Sequence, residues 1–360
     1  MSSITPFRVE IPQSDLDDLQ ARLALTRFAD EIPGAQQGVS VERVKRLVAH
    51  WRQGFDWRAV EATLNSHPQF TTEIDGQNIH FLHVRSADPD ALALILTHGW
   101  PGSIAEYLRA IEPLSRHFHL VIPSLPGYGF SGPTRELGWN NQRIARAWAE
   151  LMARLGYERY GAVGNDAGSM ISPEIGRIDP EHVVGVHVTQ LFSFPSGDPA
   201  EFADLSEEEQ AGLAVLDRFW KELGAFNVLQ SQQPQTLAHA VMDSPAGLVG
   251  WLAQLLDEDL DDDFVLTNAA IYWFTGTAAS ALRLYWENAR AEQPKEPTTT
   301  PTALAMSEGD FKSIRRFADR DHAGIVSWKT LPAPAHGHYT AHTATDALTS
   351  DVIRFFQSLG

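Results

Sequence analysis

The sequence contains no cysteine among its 360 residues. This absence excludes disulfide bonds, catalytic thiols and metal sites built from cysteine thiolates. Any chemistry of the chain must therefore come from its other polar side chains. A cytoplasmic location, where disulfides are rare, is compatible with this composition, and we expect a cytoplasmic protein.

Long apolar runs and blocks of basic residues are also missing. A typical apolar run, ALALILT at 91–97, is far shorter than the ~20 residues that a membrane-spanning helix needs. The first residues, MSSITPFRVEIPQSD, do not join a basic region to an apolar stretch as a secretory signal does. The formal net charge is −18 without any Lys/Arg block, so neither nucleic acid nor an anionic membrane is expected as a partner. A small molecule or a second copy of the chain is the partner left open.

The most acidic stretch of the chain is DEDLDDD at 257–263. Its spacing lacks the glycine and the distal glutamate of a calcium-binding loop, and no metal is expected there. Runs of like charge are usually solvated, so we interpret this stretch as an acidic helix end or loop on the surface.

Short apolar runs alternate with amphipathic stretches over much of the chain. Runs typical of buried strands lie at 91–100, 119–129, 159–165, 182–190 and 301–307. Helical patterns separate them, and this alternation favours a mainly parallel sheet covered on both faces. FTTEID and NIHFLHV, on either side of Gly76, predict a hairpin ahead of that region.

The pattern of apolar and polar residues changes after Gln190. Residues 191–298 carry helical patterns and many aromatic residues with little strand signal, and strand-like sequence resumes in 299–360. The chain also exceeds the usual size of one compact core. We therefore expect an α/β core in 86–190 and 299–360, a helical insertion between the two parts, and an extra N-terminal segment in 1–85.

An aspartate occupies the centre of GNDAG at 164–168, at the end of a predicted strand. The pattern small-x-acid-x-small resembles a nucleophile elbow, the strained strand-to-helix turn that usually presents a serine in α/β hydrolases. A lone aspartate between glycines is more often a turn former, because its side chain bonds its own backbone. The position after a strand, taken with the partners below, makes Asp166 the candidate nucleophile.

In α/β hydrolases an acid and then a histidine follow the nucleophile along the chain. Histidines occur in APAHGHYTAH at 333–342, shortly before the last predicted helix. His338 is the preferred candidate because of its distance from that helix. His336 and His342 are held in reserve.

The acid should follow one of the later core strands. SEGD at 307–310 ends the strand-like run PTALAM, which offers Asp310 as the first choice and Glu308 as the second. His338 oriented by Asp310 would form the usual pair of base and orienting acid.

The motif HGWPG at 98–102 ends another predicted strand. The oxyanion hole of this fold uses the amide after the nucleophile and one amide from this early loop. Those amides would belong to Ala167 and Trp100, since Pro101 carries no N–H. Each such donor contributes ~2.7–4 kcal/mol when it is aimed at the developing oxyanion.

A carboxylate nucleophile can displace at a saturated carbon and form an alkyl ester on the enzyme. Water activated by His338 would then attack the ester carbonyl, which belongs to Asp166 itself, so an oxyanion hole and a base remain necessary. Epoxides and alkyl halides suit this chemistry. A serine esterase does not fit, because no serine occupies the centre of the elbow.

The sequence resembles the microsomal-type epoxide hydrolases nearly from end to end. Residues 6–28 and 50–86 resemble the N-terminal segment that wraps over core and cap in that family. HGWPGS, LPGYGFS, GNDAGS, DSPAGL and IYWFTGT…LRLYWEN resemble its core and cap motifs. The resemblance implies an α/β-hydrolase fold with a helical cap, and addition of water to an epoxide without a metal or organic cofactor. It gives Asp166, Asp310 and His338 the same roles as the residue pattern does.

The resemblance also implies two cap tyrosines that donate hydrogen bonds to the epoxide oxygen. Tyr285 matches one of them, but Phe226 occupies the other position, just before VLQSQQPQT. A hydrogen bond to a charged group contributes ~1.5–3 kcal/mol, so its loss would slow ring opening roughly 10- to 150-fold unless another donor serves. Tyr272 is the alternative donor, although its apolar context favours a core position. With Trp100 and Phe226 it is expected to line a pocket for an apolar epoxide.

Two alternatives depend on departures from the family pattern. Many relatives carry tryptophan at the position of Ala167, and haloalkane dehalogenases commonly use that ring N–H to bind halide. Because Ala167 lacks that ring N–H, haloalkane dehalogenation is a weaker hypothesis than epoxide hydrolysis. Because Phe226 replaces a cap tyrosine, a second hypothesis is a non-catalytic binding protein that has kept the hydrolase fold. The presence of Asp166, Asp310 and His338 together argues against it.

Overall fold

The computed structural model describes residues 3–35, 37–332, 335 and 337–360. The strands within these residues are β1 (Thr5–Phe7), β2 (Gln69–Ile74), β3 (Gln77–Val84), β4 (Ala93–Thr97), β5 (His119–Pro123), β6 (Tyr160–Gly164), β7 (Val183–Val188), β8 (Thr302–Met306) and β9 (Ile325–Thr330). They form one nine-stranded sheet in the order β1-β2-β3-β5-β4-β6-β7-β8-β9.

Helices connect and cover these strands. The α-helices are α1 (Gln13–Ala24), α2 (Val41–Gln53), α3 (Trp57–Asn65), α4 (Leu108–Ser115), α5 (Asn141–Arg154), α6 (Ala167–Ile178), α7 (Glu207–Glu222), α8 (Ala225–Gln232), α9 (Pro234–Asp243), α10 (Pro245–Ala253), α11 (Asp262–Thr275), α12 (Ala278–Asn288), α13 (Arg315–Asp321), α14 (Thr340–Thr343) and α15 (Thr345–Ser358). Short 3₁₀ helices span Ile104–Tyr107, Gly129–Ser131 and Pro199–Phe202.

The sheet has an antiparallel part and a parallel part. The pairs β1–β2, β2–β3 and β3–β5 are antiparallel, and the remaining neighbours from β5 through β4 and β6 to β9 are parallel. The α/β class and the mainly parallel sheet expected from the sequence are confirmed. The hairpin expected around Gly76 is β2–β3, in which Ile74 pairs with Gln77.

The central strands are buried along their whole length. Every residue of β4, β5 and β6 is buried. Because successive side chains of a strand point to opposite faces, complete burial requires cover on both faces. An added Cβ at Gly161 would lie 2.2 Å from the Phe356 ring of α15, and one at Gly164 would lie 2.0 Å from Gly168 O of α6. These two helices thus press on opposite faces of β6.

Between Val188 and Thr302, where every residue is described, the chain forms the helices α7–α12 and loops. This helical region reaches back to the loops that follow β4 and β5. Ser103 Oγ donates to Asn268 Oδ1 of α11 at 2.7 Å, and Gly129 N donates to Thr277 Oγ1 at 3.0 Å. The region therefore lies over the carboxyl ends of the parallel strands, where ligands bind in open α/β sheets.

The N-terminal segment supplies β1–β3 and α1–α3. Helix α2 packs against α10 and α11 of the helical region. Ser40 caps α2 by accepting from Arg43 N at 3.2 Å. In α1, by contrast, the N-cap residue is Pro12 and no side chain caps the helix. Within the described residues, no helix is both long and apolar enough to cross a membrane.

Candidate active site

Asp166 lies on a sharp turn between β6 and α6. Its backbone has φ 53° and ψ −119°, a left-handed conformation that costs a non-glycine residue about 1–3 kcal/mol and persists only where the surroundings enforce it. The surroundings are tight, since a Cβ at Gly168 would lie 1.8 Å from Thr97 O. Only glycine fits two residues before and two residues after Asp166, at Gly164 and Gly168, which explains the glycines of the GNDAG pattern.

Two backbone amides face the Asp166 carboxylate. The Trp100 N–H donates to Oδ1 at 2.9 Å, and the Ala167 N–H also interacts with the carboxylate and lowers its pKa. The loop after β4 approaches so closely that a Cβ at Gly99 would lie 2.1 Å from Oδ1. The structure thus brings both amides expected from the sequence, those of Trp100 and Ala167, to the Asp166 carboxylate.

His338 and Asp310 complete a line of three side chains. His338 Nδ1 lies 2.9 Å from Asp310 Oδ1, and His338 Nε2 lies 3.7 Å from Asp166 Oδ2. The Asp310 side chain is 9% exposed, whereas those of Asp166 and His338 are each 19% exposed. The acid is therefore shielded, while water-sized molecules have access to the other two groups.

The reserve candidates lie elsewhere or outside the described residues. Glu308 is exposed, and only its backbone carbonyl takes part here, accepting from Gly337 N at 2.7 Å. His342 Nε2 bonds Asp261 Oδ2 at 2.8 Å. His336 lies outside the described residues.

Burial and charge shift the pKa values of all three groups. Burial raises the pKa of Asp166 above its ordinary value, although His338 and the amides of Trp100 and Ala167 oppose this. Burial lowers the pKa of His338, but Asp310 and then Asp166 outweigh it and raise that pKa to about 10. Burial raises the pKa of Asp310, yet His338 and Gln190 bring it below the ordinary value. The free site thus holds a histidinium between carboxylates.

Gln190 joins the two ends of this line. Its Oε1 accepts from Asp166 N at 2.9 Å, and its Nε2 donates to Asp310 Oδ2 at 2.5 Å. The side chain is fully buried. Sequence reasoning missed Gln190, and its position two residues beyond the β7 strand was the one signal available.

An aromatic cluster faces the site from the loop after β4 and from the helical region. The rings of Trp100 and Phe226 stack at 5.7 Å, and the Tyr285 ring stands edge-on to both, at 6.0 and 5.9 Å. Burial raises the pKa of Tyr285 well above its ordinary value, so the hydroxyl stays protonated. Its hydroxyl has no hydrogen-bond partner among the described residues, so it is free to donate.

Tyr272 does not fit the part of alternative donor. Its hydroxyl donates to Gly102 O at 2.7 Å, and the residue is only 1% exposed. A phenol has a single proton to donate, and here the backbone of the loop after β4 accepts it. The contact ties α11 to that loop, and the pocket role of Tyr272 stays a prediction.

Sequence reasoning also missed Glu106, on the 3₁₀ helix after the HGWPG loop. It is 1% exposed, and neither carboxylate oxygen has a partner with hydrogen-bond geometry among the described residues. Burial raises its pKa to about 8; His338 and the nearby Asn165 amide oppose that shift. Asn165 Nδ2 and Tyr339 OH are buried without a partner as well, within the same described part of the chain. Within the described residues, no other carboxylate of the site has buried oxygens without a hydrogen-bond partner.

Two family models match the chain. "Epoxide hydrolase N terminus" matches residues 4–107, and "alpha/beta hydrolase fold" matches residues 93–243. Together they extend from the N-terminal segment through the elbow into the helical region.

Relatives match over nearly the whole length. The chain is 36% identical to the "Putative epoxide hydrolase" of Stigmatella aurantiaca (strain DW4/3-1), over 99% of this chain and 85% of that protein. It is 30% identical to juvenile hormone epoxide hydrolase 2 of Ctenocephalides felis, over 98% and 85%. The solved structure of Aspergillus niger epoxide hydrolase superposes with a TM-score of 0.88 at 30% identity, covering 99% of this chain and 97% of that one. The chain therefore belongs to the epoxide hydrolase family, with the α/β-hydrolase fold.

Proposed function

We propose that the protein adds water to an apolar epoxide and releases a vicinal diol, through an ester on Asp166. The observation that carries this proposal is the arrangement around one carboxylate. Oδ1 of Asp166 is held by the Trp100 N–H at 2.9 Å, while Oδ2 lies 3.7 Å from His338 Nε2. Oδ1 is thus held by the Trp100 amide, and Oδ2 is left to attack.

In the first step Asp166 Oδ2 attacks a ring carbon of the epoxide. A C–O bond forms to the carboxylate, the C–O bond of the ring breaks, and the electron pair goes to the former epoxide oxygen. Tyr285 gives that oxygen its proton, as a general acid can when it lies within hydrogen-bond reach. The product of the step is a hydroxyalkyl ester of Asp166.

Ester formation changes the protonation of the site. Asp166 loses its negative charge, and with it one of the charges that raise the pKa of His338. The pKa of His338 falls, so the histidinium of the free site gives up its proton to the Tyr285 phenolate that the first step leaves. A base is thereby produced only after the nucleophile has reacted, while Asp310 keeps the ring oriented.

In the second step His338 Nε2 takes a proton from water as the water oxygen attacks Cγ of Asp166. Negative charge develops on Oδ1, where the amides of Trp100 and Ala167 stabilise it. Collapse breaks the Cγ–O bond to the substrate, and the leaving alkoxide takes the proton from His338. The regenerated carboxyl group passes its remaining proton to His338, which restores the histidinium of the free site, so one water is consumed for each diol.

Intact-mass spectrometry of His338→Gln tests the proposal. After brief exposure to a panel of aryl and alkyl epoxides, this variant should gain the mass of one whole epoxide on a peptide that contains Asp166. Asp166→Asn is the control and should stay unlabelled under the same conditions. If wild type turns over none of these epoxides and His338→Gln gains no mass, while a related epoxide hydrolase treated alike is labelled, the proposal is wrong.

A further inference from the structure

The acidic stretch 257–263 is not simply solvated. It lies in the turn after α10, runs into the first two residues of α11, and lies between helix α2 of the N-terminal segment and the loop that carries His338. On the α2 side, Arg46 Nε bonds Asp262 at 3.1 Å and His50 Nε2 lies 2.6 Å from Asp263 Oδ1. The prediction of a helix end is correct, since Asp261 caps α11, but the side chains of Asp262 and Asp263 also bond α2.

Arg43 makes the most buried of these contacts. Its guanidinium donates to three carbonyl oxygens at the end of α10 and the turn beyond: Nη1 to Ala253 O at 2.9 Å, and Nη2 to Leu256 O at 2.6 Å and Asp257 O at 2.9 Å. The residue is 7% exposed. A planar, charged fork bonded to three carbonyls of a helix end and of the turn beyond it fixes the path of the turn.

The side chain of the turn residue Asp257 reaches the histidine loop. A Cβ at Gly337 would lie 2.5 Å from Asp257 Oδ2. The Asp257 carboxylate also interacts with the backbone N–H of His338, which partly offsets the rise in pKa that burial causes. The carboxylate therefore lies directly on the backbone of Gly337 and His338.

Residues of the α/β core also hold the loop that carries His338, through the backbone of Gly337. Gly337 N donates to Glu308 O at 2.7 Å, and Ser307 Oγ donates to Gly337 O at 2.5 Å. These contacts come from the loop that carries Asp310. Asp257 approaches Gly337 from the α10–α11 turn instead, and its carboxylate interacts electrostatically with the His338 N–H.

We propose that Arg43 and Asp257 are positioning residues for His338: Arg43 fixes the α10–α11 turn, and Asp257 holds the backbone of the histidine loop from that turn. Through this path the N-terminal segment sets the position of the base in the second chemical step. The kinetic part of the proposal rests on the proposed function, and the structural part does not. A displacement of about 1 Å at a reacting group can cost ~100-fold in rate.

Hydrogen–deuterium exchange on the full-length protein tests the structural part without a substrate. The peptide that contains residues 337–343 should exchange faster in Arg43→Ala and in Asp257→Ala than in wild type. Arg46→Ala removes the same charge from the same helix, and Asp259→Ala removes the same charge from the same turn; both should exchange as wild type does. Equal exchange in all five proteins overturns the proposal.

Rapid-quench kinetics on an accepted epoxide tests the kinetic part. Asp257→Ala should slow hydrolysis of the Asp166 ester roughly 10- to 100-fold, so that the ester accumulates, with ester formation nearly unchanged. Arg43→Ala should have the same signature at a smaller size, and Arg43→Lys should restore part of the rate. Because the two residues act along one path, the double variant should lose little more than Asp257→Ala alone.

Asp257→Asn separates position from charge. The amide oxygen can still accept from the His338 N–H, so this variant should hydrolyse the ester within about threefold of wild type. If Asn behaves like Ala, or if both steps slow equally, positioning is wrong. Ester accumulation in His338→Gln without any in Asp257→Ala would overturn this inference alone, whereas failure of His338→Gln to form an ester would count against the proposed function.

Discussion

The α/β core and the helical region, here called the core side and the cap side of the site, carry very different functional groups. On the core side, Asp166, His338 and Asp310 are fixed by at least one hydrogen bond each, and Gln190 ties the two aspartates together. On the cap side the Tyr285 hydroxyl, which has no hydrogen-bond partner among the described residues, stands in a cluster of aromatic rings. The machinery proposed for ester hydrolysis is thus complete, whereas the machinery proposed for ring opening has one donor where the family pattern has two.

The largest effect expected on the core side is that of Asp166→Ala. Without the carboxylate no ester forms, and we expect kcat/KM for an accepted epoxide to fall roughly 10⁴-fold or more. Initial-rate measurement of diol formation checks this, with circular dichroism to show that the fold is intact. Residual turnover above one hundredth of the wild-type rate would mean that another group attacks the epoxide.

Asp310→Ala should come next and should affect one step. Loss of the orienting acid costs a comparable base ~10⁴-fold in a serine protease, and we expect roughly 10²- to 10⁴-fold here on ester hydrolysis, with ester formation much less affected. Glu308→Ala, in the same loop but exposed, is the matched control and should retain normal rates. Rapid-quench analysis separates the two steps, and equal losses in both would contradict the role given to Asp310.

Two substitutions on the cap side test the proposed hydrogen-bond donor: one removes the Tyr285 hydroxyl, and the other adds a hydroxyl at Phe226. Tyr285→Phe should slow ring opening roughly 10- to 150-fold, and Phe226→Tyr should raise it by up to a similar factor. Burst-phase rates of ester formation measure both changes. Tyr272→Phe is the control, because it removes a hydroxyl bonded to Gly102 O and should lower stability rather than the burst rate. No gain in Phe226→Tyr with an intact fold would show that another group already assists the leaving oxygen.

The smallest effect concerns Glu106, which belongs to neither side. Burial raises its pKa to about 8 from 4.5, so the folded state holds a proton that the unfolded state has lost between these values. The stability that this proton provides is complete below about pH 4.5 and is lost as the pH rises through 8. Glu106→Gln cannot ionise, so its melting temperature should fall less from pH 5 to pH 8, by roughly 2–4 °C relative to wild type.

Scanning calorimetry across that pH range measures the difference for Glu106→Gln. Glu112→Gln, on the following helix and exposed, serves as the control and should follow wild type at every pH. Parallel curves for wild type and Glu106→Gln would mean that Glu106 is ionised in the folded protein.

The elements that the sequence predicted well are those with a local cause. The strands at 91–100, 119–129 and 159–165 contain β4, β5 and β6, because continuous apolar runs of this length have few other solutions in a buried sheet. The elbow could be found because its close contacts require glycine at positions 164 and 168, on both sides of Asp166.

Candidates of equal chemistry could not be separated by sequence spacing alone. His342 and His338 lie four residues apart, and one bonds Asp261 while the other bonds Asp310. Likewise Tyr272 and Tyr285 both lie on helices of the inserted region, yet one hydroxyl is bonded to the backbone and the other is free. What distinguishes them is the direction in which each helix or loop presents the side chain.

By itself, the sequence determined the α/β class, the turn that presents Asp166, the two amides that flank it and the family to which the chain belongs. Tertiary structure alone decided that Gln190 joins the two aspartates, and that the Glu106 carboxylate is buried with no hydrogen-bond partner among the described residues. It also decided that Arg43 bonds the α10–α11 turn and that Asp257 reaches the histidine loop from that turn. The physical reason is the range of the interactions. Backbone strain and hydrophobic periodicity are written into neighbouring residues, whereas a contact such as Arg43 to Leu256 joins positions 213 residues apart and exists only once the chain has packed.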